Sequence, residues 1–216
     1  MKVKSILVIS FILALVLPAL AFSQEIKPIK LLAPRTESGK PLMQTLKERK
    51  SAREFSSEDL PLQIISDLLW AACGINRADI GGRTAPSAMN VQEIDIYVVK
   101  AEGLYVFDPK ANILVPVAAG DLRGLTGKQP FVKDAPVNFI YVADLAKMSK
   151  MSGDDADFYA ATDTGFISQN VYLYCASEGL ATVVRGLINK PALAQAMKLR
   201  PDQKIILVQT VGYPKK

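Results

Sequence analysis

Histidine is missing from all 216 residues. That absence excludes metal sites built on imidazole, and it excludes Ser–His and Cys–His nucleophile pairs. Cysteine is nearly missing: Cys73 and Cys175 are the two copies, too few for a disulfide framework. Each sits in an apolar helical setting, "LLWAACG" and "YLYCASEG", so burial as a small hydrophobe is expected. No glycine-rich phosphate loop occurs, because "GGRTAPSAMN" has neither a preceding strand nor the Lys-Ser/Thr ending of a P-loop. Internal repeats and low-complexity tracts are also lacking. An enzyme with this inventory is expected to take its chemistry from a cofactor.

Charge is balanced more than it is abundant. The net value is +5, and the beginning of the chain carries part of it. A basic Met1–Lys4 precedes an apolar run, Ile6–Leu17, and then "PALAFSQE" with small residues at Ala19, Ala21 and Ser23. This is the pattern of a Sec-type secretory signal peptide over residues 1–23, and the apolar run is short for a membrane span. The expectation is export to a periplasmic or extracellular space without a stable membrane anchor; the alternative is an uncleaved N-terminal anchor. Removing 23 of the 216 residues leaves 193, and loss of Lys2 and Lys4 lowers the charge by two, to +3. That mild value supports neither a nucleic-acid coat nor a membrane-surface domain. The remaining length suits a single domain over 41–216, after a Pro- and Lys-rich extended leader, 24–40.

Periodicity predicts short helices over Pro41–Arg49 and Pro191–Lys198, and a longer one over Ser56–Gly74 with Ser57 as its cap. A helix of about seven turns is expected over Asp154–Glu178, packed through Phe158, Phe166, Val171 and Leu173 and stopped by Gly179. "EIDIYVVK", "VNFIYVAD" and "KIILVQTVGYP" read as strands, and "GLYVFDPKANILVPV" as a hairpin turning at Asp108–Asn112. This order is not a regular βαβ alternation. It predicts an α+β fold, with a mostly antiparallel sheet between helices.

Three stretches could carry chemistry. In "LKERKSAREF", the cations Arg49, Lys50 and Arg53 crowd around Ser51. Two guanidinium forks and a hydroxyl can grip a phosphate, yet a solvated helix end also favours cations. "GGRTAPSAMN" joins a Gly pair to Pro86, Ser87 and Asn90, a combination able to approach a flat ligand; the alternative is an ordinary loop. "EGLATVVRGLIN" ends a helix, crosses a short apolar segment, and reaches Gly186, where backbone can come close to a ligand.

Taken together, "RKSAREF", "LLWAACGINR", "GGRTAPSAMNVQEIDIYVV", "FVKDAPVNFIYV", "EGLATVVRGLIN" and "VGYP" resemble the FMN-dependent nitroreductase family. The wording is nearest to its branch of thiazoline and oxazoline dehydrogenases. The resemblance covers nearly all of the chain after the signal segment. It implies a nitroreductase-like fold and an intertwined homodimer with FMN at the subunit interface. Arg49, Ser51 and Arg53 match the family's R-x-S-x-R/K motif, with Lys50 between them. Arg49 and Ser51 would hold the phosphate and ribityl end, and Arg53 would lie nearer the ring. Pro86, Ser87 and Asn90 match the segment packing on the ring from the partner subunit. Val184, Arg185 and Gly186 match the stretch whose backbone faces flavin N5, and Gln129 is a weaker candidate for the pyrimidine edge. Arg185 stands where some members carry an acidic residue, so different electrostatics over N5 are expected. Lys215 and Lys216 end the chain where relatives continue with basic residues.

The implied activity is ping-pong hydride transfer through flavin N5, from a small-molecule donor such as NAD(P)H to nitroaromatic, quinone or related acceptors. Two rivals stand beside it: an exported flavin-binding electron carrier, and a degenerate binding module. The polar stretch Ala146–Asp157 is a candidate cover over the flavin.

Overall fold

"VNFIYVAD" is apolar at nearly every position, and in the fold seven of its eight residues are buried. The computed structural model of the chain describes residues 25–216, and the expected signal peptide lies outside the described residues. In chain order the strands are β1 (Ile29–Lys30), β2 (Ile75–Arg77), β3 (Gly82–Arg83), β4 (Ile94–Val99), β5 (Gly103–Asp108), β6 (Ile113–Ala119), β7 (Val137–Asp144), β8 (Ala181–Arg185) and β9 (Gln203–Gly212). The helices are α1 (Leu42–Glu48), α2 (Leu62–Cys73), α3 (Gly153–Glu178) and α4 (Lys190–Met197). Short 3-10 turns cover Ala88–Asn90, Arg123–Thr126, Pro130–Val132 and Leu145–Met148.

Seven strands form one sheet in the order β1-β6-β5-β4-β7-β9-β8, and every pairing in it is antiparallel. The position of β7 near the middle explains its composition. Val137, Phe139, Tyr141 and Ala143 point to one face, where they meet Leu68 and Leu69 of α2 and Ile167 and Val171 of α3. Ile140 and Val142 point to the other, against Leu193 and Met197 of α4. A strand covered on both faces loses the apolar–polar alternation of a half-exposed one. The architecture is therefore α+β in three layers, with α2 and α3 over one face and α4 over the other. Truncating Phe139 or Leu69, both fully buried, would cost about 2–5 kcal/mol in lost burial and cavity formation.

Three expectations need correction. Helix α2 starts at Leu62, not Ser56, with Pro61 at its N-cap and no side-chain cap. Proline disfavours helical backbone at the residue before it, so Leu60 stays outside the helix and Ser57 is too far upstream to cap it. Phe158 and Phe166 do not pack inward: they are 65% and 45% exposed. The buried side of α3 is made by Ala156, Ala160, Ile167, Val171 and Cys175, and the two Phe, eight residues apart, share a second face. Finally, the loop after α2 contains a small hairpin, β2–β3.

The helix stops are chemically distinct. Gly179 takes the left-handed conformation, φ 71°, after α3. Gly74 does not, at φ −72°. A Cβ there would come within 2.4 Å of the Trp70 ring, so glycine serves packing rather than turning.

Candidate flavin site

The segment after α1 begins where Arg49, the last to donate its N–H into the helix (to Thr45 O, 2.9 Å), turns to ψ 123°. From there the chain is extended. Ala52 N–H donates to Thr182 O of edge strand β8 (2.9 Å), Ser56 N–H to Tyr213 O (2.9 Å), and Lys215 N–H to Glu54 O (3.3 Å). Phe55 anchors the segment, buried against Phe131, Ala135, Ala181 and Val183. The crowded cations are thus held between β8 and the chain's last residues.

Tyr172, from α3, organises this place. Its ring lies under the Arg49 guanidinium, 5.4 Å from ring centroid to Cζ. Its hydroxyl accepts the Val184 N–H (2.9 Å) and lies 2.9 Å from Ser51 Oγ. Either hydroxyl of the Tyr172–Ser51 pair can donate, and when the phenol gives its proton to Ser51 the Ser51 hydrogen is left for an outside acceptor. Among the described residues, no carboxylate lies within ion-pair distance of Arg49, Lys50 or Arg53, whereas Lys40 pairs with Glu48 at 2.6 Å. A hollow of about 450 Å³ opens beside Lys50, Ala52, Tyr172, Thr182 and Pro214. A second, of about 800 Å³, adjoins it and is lined by Lys215 and Lys216.

Pro86, Ser87 and Asn90 lie elsewhere. They belong to a strap, 86–92, in which Met89, Asn90 and Gln92 hold positive φ of 50°, 54° and 55°. Left-handed backbone at three non-glycine residues costs energy and persists only where the surroundings over-determine it. Ser87 Oγ accepts the Gln92 N–H (2.7 Å), and Asp163 Oδ2, from α3, accepts the Ala88 N–H (2.8 Å). Asp163 and Tyr172 are nine residues apart, about 14 Å along the helix and half a turn round it. The two candidate groups therefore stand on opposite sides of α3 in one chain.

The β8 stretch divides further. The Val184 N–H is taken by Tyr172, and Gly186 is exposed. The Arg185 side chain turns inward. It is 5% exposed and donates from Nη1 to Thr126 O (2.8 Å) and from Nη2 to Asn138 Oδ1 (3.0 Å) and Thr210 Oγ1 (2.7 Å). Its Nε has no partner, and burial draws its pKa down to about 10, so it stays charged at neutral pH. Gly127 leaves room for it: a Cβ there would overlap the guanidinium. Gln129 lies beside the same glycine with its Oε1 buried and unpartnered.

Both cysteines are free thiols, and burial pushes Cys73 up to about 11 and Cys175 higher still. Tyr172, Asp163 and Glu93 were not legible as site residues. Tyr172 sits in the run "NVYLYC", Asp163 between two threonines and Glu93 between Gln92 and Ile94, so no local pattern marks them.

With this geometry in view, the comparisons are specific. The profile of the nitroreductase family matches residues 46–213, from the end of α1 to the last strand. The chain belongs to the nitroreductase family. A nitroreductase-like protein of Methanocaldococcus jannaschii is 30% identical over 181 residues, covering 79% of this chain and 90% of the relative. The crystal structure of a nitroreductase-like protein from Ralstonia eutropha JMP134 is 46% identical, with a TM-score of 0.84, covering 88% of this chain and 90% of the other. The NADPH:FMN oxidoreductase of Vibrio harveyi, complexed with NAD+, shares the fold at TM-score 0.60 and 18% identity, covering 81% of this chain and 69% of the other. Membership places this nitroreductase-family chain among oxidoreductases.

Proposed function

We propose that the protein is an FMN-dependent oxidoreductase of the nitroreductase type, acting as a homodimer in an exported compartment. The observation that carries this is the free donor set at the end of α1. Arg49, Lys50 and Arg53 lack carboxylate partners among the described residues, and Ser51 can donate outward when Tyr172 gives it a proton. Such a set fits the terminal phosphate of FMN. Arg49 and Ser51 hold the phosphate and ribityl end, with Lys50 adding charge. Arg53 lies toward the ring, where its cation favours electron-rich flavin. The exposed Gly186 backbone stays open to a ring. When bound, FMN supplies a ring nitrogen that accepts hydride from a donor such as NAD(P)H and delivers it to a nitroaromatic, quinone or related acceptor, in two half-reactions. The chain's own residues bind and orient. None of them needs to act as a nucleophile, which agrees with the absence of histidine.

Two features support the homodimer. Apolar residues lie exposed on adjoining helices: Leu42, Met43 and Leu46 of α1, and Phe158 and Phe166 of α3. Exposed apolar surface of this kind marks an interaction face. Also, α3 stands between the Arg49 group and the Pro86–Asn90 strap, so both reach one cofactor only if two copies contribute. The wording of the chain, "LLWAACGINR" followed by "RTAPSAMN" being its most specific part, is nearest to the thiazoline and oxazoline dehydrogenase branch within the family.

The test is a visible spectrum of the purified protein, followed by anaerobic addition of NADH or NADPH. A bound-flavin spectrum that bleaches with nicotinamide is expected. A colourless protein that takes up no added FMN would overturn the cofactor, and a bound flavin that dithionite but neither nicotinamide reduces would overturn the donor.

A further inference from the structure

Glu93 immediately precedes β4, is fully buried, and has no partner for either carboxylate oxygen. Asp163 is 2% exposed and lines the same small cavity, about 10 Å³, together with Pro86 and Ser87. Two carboxyl groups in one dry site cannot both ionise without a cation. The cations facing them are already committed. Arg83 donates to Gln92 Oε1 and Cys73 O, and Lys147 to Asp95 Oδ1 and Gln92 O. Neither pairs with Glu93 or Asp163. The Cys73 thiol, on α2, is neutral, and Asp95, on β4, adds only negative charge.

We propose that Glu93 and Asp163 share one proton, and that this proton-sharing pair positions the 86–92 strap by keeping Asp163 in place as acceptor for the Ala88 N–H. A protonated Glu93 donates to Asp163, which gives one of its two orphaned oxygens a partner. Asp163 then holds the left-handed backbone of Met89, Asn90 and Gln92 against α3. When the proton leaves, two adjacent carboxylates repel each other with no cation bonded to either, and the strap is released.

Burial raises the Glu93 pKa from an ordinary 4.5 to about 7, with the Asp163 charge adding to the rise. The sign follows from this direction. Between those values the folded protein binds more protons than the unfolded chain, so the pair's contribution is complete below pH 4.5 and is lost as pH rises through about 7. A consequence for FMN, weaker binding above that pH, rests on the cofactor reading above; the strap itself does not.

The experiment uses the FMN-free protein. Amide hydrogen exchange at residues 88–92, corrected for intrinsic rates, is followed from about pH 5.5 to 8.5. Wild-type protection should fall by about tenfold for each pH unit up to about pH 7 and level off above it. The Glu93→Gln variant can still donate to Asp163 but cannot titrate, and its profile should be flat. An infrared band of a protonated buried carboxyl should be present in wild type at about pH 6 and vanish by about pH 8.5. A flat wild-type profile, a Glu93→Gln profile equal to wild type, or no protonated carboxyl at the lower pH would each overturn the proposal. Because the infrared measurement needs only wild type, a misfolded variant does not protect the idea. A protein that shows the titrating strap but takes up no FMN would refute the cofactor reading alone.

Discussion

At the Tyr172 end of α3, three cations stand at the surface with no carboxylate partner among the described residues. At the Asp163 end, two carboxyl groups lie buried with no cation bonded to either among the described residues. The same deficit, charge lacking a counter-charge, has opposite chemical outcomes. Exposed cations keep their charge because water solvates them, and they stay available to an anion from outside. Buried carboxyls have no water, so the cheaper response is to hold a proton. In the proposed reading one end receives a ligand and the other grips its own backbone.

The largest expected effect tests the open end. Arg49→Ala with Arg53→Ala should weaken FMN binding by about 100-fold or more, since each charge-assisted hydrogen bond contributes about 1.5–3 kcal/mol. Lys30→Ala and Lys110→Ala, both exposed and far from the cluster, should change it less than about twofold. A fluorescence titration that gave equal losses for both sets would erase the distinction between the cluster and ordinary surface charge.

Next comes the stripe between the two ends. Phe166→Glu sets a charge on an apolar face that the proposed dimer covers. Sedimentation should show a shift from dimer toward monomer, corresponding to about 2 kcal/mol or more of lost association. An unchanged dimer would mean that this face is not the contact.

The closed end yields a smaller, pH-dependent effect. Asp163→Ala leaves the Ala88 N–H without its acceptor and should cost about 1–3 kcal/mol of stability at pH 5. At pH 8 the same change also removes the repulsion with Glu93, so the loss should shrink. Denaturant melts at the two pH values check this, and an equal loss at both would contradict a shared proton.

Smallest is Tyr172→Phe. It keeps the ring under Arg49 but deletes the hydroxyl between Ser51 and Val184, at about 1 kcal/mol. Thermal melting measures that loss. Its FMN affinity should fall far less than in the double arginine variant, because the hydroxyl orients Ser51 rather than contacting the phosphate.

How much of this was legible differs between the two ends. Arg49, Ser51 and Arg53 are contiguous, so the cationic cluster could be recognised in the chain itself. Asp163 and Glu93 are 70 residues apart in sequence, and nothing local marks either as paired. The inward turn of Arg185 was equally hidden. Strand alternation puts every second residue on one face, but only the packed positions of Thr126, Asn138 and Thr210 decide which face can satisfy a guanidinium. Phe158 and Phe166 misled because apolar composition marks a face to be covered without saying whether the cover is the same chain.

The sequence alone determined the antiparallel α+β architecture, the long helix and its left-handed glycine stop. These follow from local periodicity and backbone sterics, which each segment carries with it. Tertiary structure alone decided which charges are hydrated and which are dry, and hence which remain charged. Ionisation depends on the distance to partners and water, and the fold brings those together from remote parts of the chain.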